Sequence, residues 1–169
     1  VGSEMCIRDR YRPIHNQRSK IMKILIDADA CPVVDLTIET GKKFGIKTVI
    51  FCDEAHKIDK SGAETIYVSQ GNDSVDFVLL RSTEANDIVV TQDFGLASMI
   101  LAKKAAALNQ NGLIYNQFNI DQLLFTRHIS KKIRSNGGRT KGPKKREKSD
   151  DENFEKSLIS LLKKSEGIR

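Results

Sequence analysis

The stretch Met22-Lys-Ile-Leu-Ile-Asp-Ala-Asp-Ala-Cys-Pro-Val33 indicates how the chain folds. It opens with a short continuous apolar run, residues 24–26, which is typical of a strand buried on both faces of a parallel sheet. Two aspartates follow that run, and Pro32 suits the first turn of a helix. The stretch therefore predicts a strand, an acidic turn and a helix in direct succession.

The same alternation continues along the chain. Further apolar runs predict strands over residues 48–52, 65–68, 87–91 and 113–115. Capping residues and helical spacing predict further helices that begin at Asn72 or Asp73, at Phe94 (continuing to Ala107), at Asn119 and at Ser149. Strands that alternate with helices favour an α/β three-layer sandwich with a mainly parallel central sheet, followed by a basic loop and a C-terminal helix.

Composition divides the 169 residues into three parts. Residues 1–21 show no periodicity, and we expect a leader that does not belong to the fold. Residues 22–134 are predicted to form the α/β domain. Residues 135–169 are predicted to form a Gly/Pro-containing basic loop and an amphipathic helix. The apolar face of that helix, from Phe154 to Leu162, is expected to pack either on the chain's own sheet or on a partner in an oligomer. No apolar run is long enough to span a membrane and the three cysteines are unclustered, so we expect a cytoplasmic protein.

Charge is distributed unevenly along the sequence. Residues 22–126 carry a net charge of −5, whereas residues 127–148 hold ten Lys and Arg side chains against the single acid Glu147. An acidic body beside a short electropositive arm is typical of a protein that binds a polyanion such as nucleic acid. The alternative is that the basic run is a solvated stretch that only aids solubility.

Several aspartates stand where ligands bind in parallel sheets. Asp27 and Asp29 come directly after the first strand, Asp93 comes shortly after the fourth, and Asp73 and Asp76 begin the helix before that fourth strand. Parallel strands bring their carboxyl ends to one edge of the sheet. We therefore expect all of these side chains except Asp73 to meet at that edge.

Carboxylates gathered at one edge repel one another unless a cation or a proton intervenes. Their hard oxygen atoms select Mg²⁺ or Mn²⁺ over zinc. Any one of these aspartates alone is more typical of a turn or a helix cap than of a metal site, so the metal hypothesis depends on their joint position. Asp87 precedes its strand and is predicted to be a turn residue at the opposite edge.

Three motifs in this order resemble the YaiI/YqxD family of bacterial proteins, over about residues 22–165. They are Asp27-Ala-Asp-Ala-Cys-Pro-Val33, Asn86-Asp-Ile-Val-Val-Thr-Gln-Asp93 with Leu96-Ala97 after it, and Arg139-Thr-Lys-Gly-Pro143. That family is similar to PIN-like domains, which are metal-dependent nucleases built on a parallel sheet with an acidic cleft.

The resemblance implies roles for the acidic residues. Asp27 or Asp29 matches the acid after the first strand, Asp76 looks like the helix acid, and Asp93 looks like the acid of the strand–Thr-x-Asp pattern. The sequence departs from the family at Val75, where an alanine is usual.

The leading hypothesis is a nuclease-like protein that uses Mg²⁺ or Mn²⁺ to hydrolyse phosphodiester bonds, with RNA as the expected partner. Asp27, Asp29, Asp76 and Asp93 would hold the metal and serve catalysis. Other side chains would support these ligands: Asp73, Thr91 and Ser69. Cations of the basic arm would contact the phosphate backbone: Lys131, Lys132, Arg134, Arg139, Lys141, Lys144, Lys145 and Arg146.

Two other functions remain open at this point. A phosphohydrolase of the haloacid-dehalogenase kind would use Asp27 as nucleophile and Asp29 as acid. Its mechanism also requires a pair of acidic residues after a later strand, and in this sequence only Asp93 occupies such a position. A non-enzymatic RNA-binding or regulatory protein would keep the acidic pocket as a vestige. Cys31 lies near a helix start, but no histidine near it in the sequence could act as its base.

Overall fold

The computed structural model describes residues 22–29, 31–55, 58–69, 74–137, 139, 142 and 144–166. Strands and helices alternate along the chain in the order β1 (Lys23–Asp27), α1 (Val34–Lys43), β2 (Lys47–Asp53), β3 (Glu64–Val68), α2 (Val75–Ser82), β4 (Ile88–Val90), α3 (Phe94–Ala102), β5 (Ala106–Leu108), α4 (Gln117–Ser135) and α5 (Lys148–Glu166). None of the helices in this described part is long and apolar enough to cross a membrane.

The strands form one sheet in the order β3-β2-β1-β4-β5, and each neighbouring pair is parallel. Ile26 of the central strand pairs with Ile50 on one side and with Val90 on the other. The strands β2 and β3 are added on one side of β1, and the chain then crosses to the other side of β1, where β4 and β5 are added. The sheet therefore has a topological switch point between β1 and β4.

Helices cover both faces of this sheet. Ile24 and Ile26 point to a core shared with α1 and α5, whereas Leu25 points to a second core shared with α2, α3 and α4. Successive side chains of a strand point to opposite faces, so a continuous apolar run such as residues 24–26 is what burial on both sides requires. The predicted α/β three-layer sandwich is confirmed.

The apolar face of the C-terminal helix packs on the chain's own sheet. Phe154, Leu158 and Leu162 of α5 have no exposed surface and belong to the same core as Ile24. Of the two expected places for this face, the chain's own sheet and a partner, the structure therefore shows the first.

The fifth strand differs from the sequence prediction. The predicted helix through Ala107 ends at Ala102, and a turn through Lys104, which has φ +61°, leads into β5. The predicted strand over residues 113–115 is wrong, since within it only Ile114 forms an isolated antiparallel bridge to Leu108. Alanine favours helices in isolation, but pairing with β4 and burial in the core outweigh that weak preference here.

Candidate active site

Asp27 and Thr91 meet at the switch point of the sheet. Asp27 is the last residue of β1, and Thr91 directly follows β4, the adjacent parallel strand. The Thr91 hydroxyl donates a hydrogen bond to Asp27 Oδ2 at 2.8 Å. Crevices at such a point, outside the carboxyl ends of the strands, are where open α/β sheets bind their ligands.

The Asp27 carboxyl titrates far from its ordinary range. Burial is the main cause that raises its pKa, to about 6, and the hydrogen bond from Thr91 opposes that rise. The negative charges of Asp76, Asp29 and Asp93 raise the pKa of Asp27 further. The four predicted carboxylates therefore act on one another at the same edge of the sheet.

Asp76 and Asp29 flank this carboxylate in different ways. Asp76 stands in the first turn of α2 and is partly buried; burial, Asp93 and Asp29 raise its pKa, while Arg127 lowers it. Asp29 lies two residues beyond β1, in a turn where it is exposed to solvent. One carboxylate is thus held by a helix and the other by a loop.

The Asp93 carboxylate accepts three hydrogen bonds. As the N-cap of α3, its Oδ1 accepts hydrogen bonds from the backbone N–H groups of Gly95 (2.6 Å) and Leu96 (3.2 Å). Its Oδ2 accepts a hydrogen bond from Arg127 Nη1 at 3.0 Å. Burial raises the pKa of Asp93, but the Arg127 guanidinium and the two N–H groups outweigh it, and the pKa falls below its usual value.

The sequence did not identify two neighbours of this edge. Arg127 lies on α4, 34 positions from Asp93, and only its membership of the basic run marked it. Tyr115 is buried; its hydroxyl donates to the Thr91 carbonyl at 3.3 Å, and burial together with the Asp93 charge raises its pKa to about 12. Tyr115 thus supports the backbone of the residue that orients Asp27.

Other predicted residues lie away from this cluster. Ser69 follows β3, the outer strand, so β2 separates it from Asp27. Asp73 and Lys141 lie outside the described residues. Asp87 stands at the opposite edge, as predicted, where its carboxylate accepts hydrogen bonds from the N–H groups of Lys23 (2.9 Å) and Glu84 (2.8 Å).

The described cations of the basic arm fall into two groups. Exposed side chains form the first group: Lys131, Lys132, Arg134, Arg139, Lys144 and Lys145. Arg146 differs, because it donates to Asp151 Oδ1, to the Gln110 carbonyl and to Asn111 Oδ1, each at 2.9 Å or less. Arg146 therefore links the start of α5 to the turn after β5.

The Cys31 thiol is not activated. Burial is the main cause that raises its pKa; a hydrogen bond with the Val33 backbone lowers it, the charge of Asp27 raises it and the charge of Arg146 lowers it, and the net shift is upward. A thiol in such surroundings stays protonated near neutral pH.

The donor set at this edge fits a hydrated hard cation. No three His, Cys, Asp or Glu side chains among the described residues form a ready-made metal-binding group. Mg²⁺ commonly keeps several waters and takes one or two carboxylates together with substrate phosphates, rather than a cage made wholly of protein. The partly buried Asp27, with carboxylates around it, meets that requirement.

The chain matches the model of a family described as "Uncharacterized BCR, YaiI/YqxD family" over residues 25–164. A UPF0178 protein of Exiguobacterium sibiricum is 52% identical over 141 residues, which cover 83% of this chain and 96% of the relative. A UPF0178 protein of Ruminiclostridium cellulolyticum is 50% identical over 149 residues, which cover 88% and 97% of the two chains. No solved structure matches.

Proposed function

The chain belongs to the YaiI/YqxD family, and we propose that it is a Mg²⁺- or Mn²⁺-dependent nuclease-like protein that hydrolyses phosphodiester bonds in RNA. The observation that carries the proposal is the position of Asp27. It is a partly buried carboxylate at the switch point of the sheet, oriented by Thr91 and surrounded by three further acids. The similarity of the family to PIN-like domains adds support to the proposal.

Asp27 is the central ligand in this proposal. A carboxylate that burial and like charges make hard to ionise gains most from a nearby cation, because the cation offsets both effects. The hydrogen bond from Thr91 fixes the orientation of the carboxylate, and the Tyr115 hydroxyl donates a hydrogen bond to the backbone carbonyl of Thr91. Asp29 and Asp76 would complete the set from a turn and from a helix start.

When bound, the metal would polarise the phosphoryl group and lower the pKa of the attacking water. Asp93 would join the ligand set through Oδ2 only, because the cap of α3 uses Oδ1. Arg127 now pairs with that Oδ2, and an incoming phosphate is an alternative partner for its guanidinium.

The exposed cations of α4 and of the following loop would hold the phosphate backbone. Lys131, Lys132 and Arg134 lie within two turns of Arg127 along α4, so the electropositive surface begins beside the acidic edge. Arg139, Lys144 and Lys145 would extend it. Arg146 is better assigned to holding α5, because its hydrogen bonds are made within the chain.

The test is cleavage of a labelled RNA in Mn²⁺ by the wild type and by Asp27→Asn. We expect Asp27→Asn and EDTA each to reduce the rate by about 10²-fold or more. Asp59→Asn, an exposed carboxylate in the loop before β3, serves as the matched control and should cleave at the wild-type rate. Equal rates for Asp27→Asn and the wild type would refute the proposal.

A second candidate is a non-enzymatic RNA-binding protein. The ion pair between Arg127 and Asp93 favours it, because that pair already compensates one of the four acids. Binding to RNA that falls steeply with salt, but does not change with EDTA or with Asp27→Asn, would support this candidate over the nuclease.

A further inference from the structure

One side of α4 carries an exposed apolar stripe. Phe118, Phe125, Ile129 and Ile133 expose 94%, 66%, 38% and 43% of their surface. Their spacing places them on one side of the helix, whereas Ile120, Leu123 and Leu124 turn toward the core beneath α3. Exposed apolar side chains grouped on one side of a helix in this way are typical of a protein-binding face.

The cations of α4 lie mainly on a different side of the helix. Arg127, Lys131 and Arg134 lie about half a turn of helix away from Phe125, on the side where Arg127 reaches Asp93. A polyanion or an anionic membrane would need cations beside the apolar residues, and among the residues of α4 only Lys132 lies there. The stripe therefore fits another protein surface.

We propose that the stripe binds the same stripe of a second copy of the chain, with the two α4 helices antiparallel about a two-fold axis near Thr126 and Arg127. In that arrangement Phe125 packs against Ile129 of the partner subunit, and Phe118 packs against Ile133 of the partner subunit. The midpoint between residues 125 and 129 and the midpoint between residues 118 and 133 lie within two residues of each other along α4. One two-fold axis can therefore relate both pairs. A two-fold interface requires this kind of self-complementarity.

The charges beside the stripe share the same axis. Asp121 and Lys132 are exposed and lie on the same flank of the stripe. Antiparallel helices bring like flanks together, so Asp121 faces Lys132 of the partner subunit in two symmetry-related ion pairs. The other flank holds Gln122 and Thr126, which carry no charge.

This dimer leaves the acidic edge accessible. Arg127 and the side of α4 that faces Asp93 point away from the partner subunit. Of the cations proposed to hold RNA, the interface uses only Lys132, so the test of the dimer does not depend on nuclease activity.

Sedimentation of the full chain across a concentration series tests the interface. We expect the wild type to reach twice the mass of the 18.9 kDa chain, and Phe125→Glu to remain monomeric. Asp121→Lys and Lys132→Asp should each weaken the dimer by about three- to tenfold, and the double variant should recover most of that loss. Lys131→Asp, on the other side of α4, is the control and should dimerise like the wild type.

Circular dichroism spectra that match the wild type establish that each variant is folded. A wild type that stays monomeric at every concentration overturns the inference, as does a double variant that fails to recover. A monomeric wild type whose RNA affinity falls with Phe125→Glu also overturns it, since the stripe would then bind nucleic acid.

Discussion

At Asp27, burial raises the pKa to about 6 while the Thr91 hydroxyl favours the ionised form. Near neutral pH the folded chain therefore contains an ionised Asp27 side chain that would be more stable if it were exposed to water. Carboxyls with a pKa shifted in this way cluster at functional sites, which is why the proposed function depends on Asp27.

The first prediction concerns pH and stability. The unfolded Asp27 titrates near 3.8 and the folded one near 6, so the folded state binds more protons between these values and loses stability as pH rises through them. Asp27→Asn keeps an acceptor for Thr91 and removes the charge. At pH 7.5 without metal it should be more stable than the wild type by about 1–3 kcal/mol.

Urea unfolding at pH 4 to 8 measures this difference. The advantage of Asp27→Asn should shrink as the pH falls and should vanish below about pH 4. A difference that does not change with pH would mean that the Asp27 carboxyl titrates normally.

The second prediction separates two roles of Asp93. Asparagine caps helices about as well as aspartate, whereas alanine does not. Asp93→Ala should lower the free energy of unfolding by about 1 kcal/mol, while Asp93→Asn should stay close to the wild type, because its exposed pair with Arg127 adds little. Equal destabilisation in chemical unfolding would show that the charge, and not the cap, supports α3.

The third prediction concerns Arg127. Removing its guanidinium frees Asp93 Oδ2 and makes the edge more negative, so Arg127→Ala should tighten Mn²⁺ binding by about three- to tenfold. Arg134→Ala, two turns further along α4, is the control. Weaker Mn²⁺ binding by Arg127→Ala in calorimetry would mean that Arg127 organises the site and does not compete with the metal.

At the scale of elements, the alternation of apolar runs and helical spacing predicted β1 to β4 and their parallel sheet. The strand β5 was not predictable, because Ala106 to Leu108 include none of the β-branched or aromatic side chains that are typical of strands. These residues are extended because they pair with β4. The carboxyl edge was predictable, since the order of the elements alone places Asp27 beside Thr91. The contact of Arg127 with Asp93 was not, because it depends on how far α4 extends past α3.

The fourth prediction concerns the attachment of α5. Arg146→Ala removes hydrogen bonds to Asp151 and to the turn after β5, so it should destabilise the fold by about 1–3 kcal/mol. It should leave the salt dependence of RNA binding unchanged. Lys145→Ala should do the reverse and reduce the salt slope without loss of stability, as fluorescence anisotropy and thermal melts would measure.

At the scale of the whole molecule, surfaces of opposite charge adjoin. Residues 22–126 carry a net charge of −5, and the next 22 residues carry +9. They meet where Arg127 pairs with Asp93. In the function proposed above, a divalent cation and a polyanion would bind side by side, each attracted by one of the two surfaces.

Calorimetric titration of Mn²⁺ into the metal-free chain tests this arrangement most directly. The wild type and Asp59→Asn should bind Mn²⁺ with the same affinity, and Asp27→Asn should bind at least about tenfold more weakly. Equal Mn²⁺ affinity for the wild type and Asp27→Asn, or no binding by the wild type, would contradict a metal site at the switch point of the sheet.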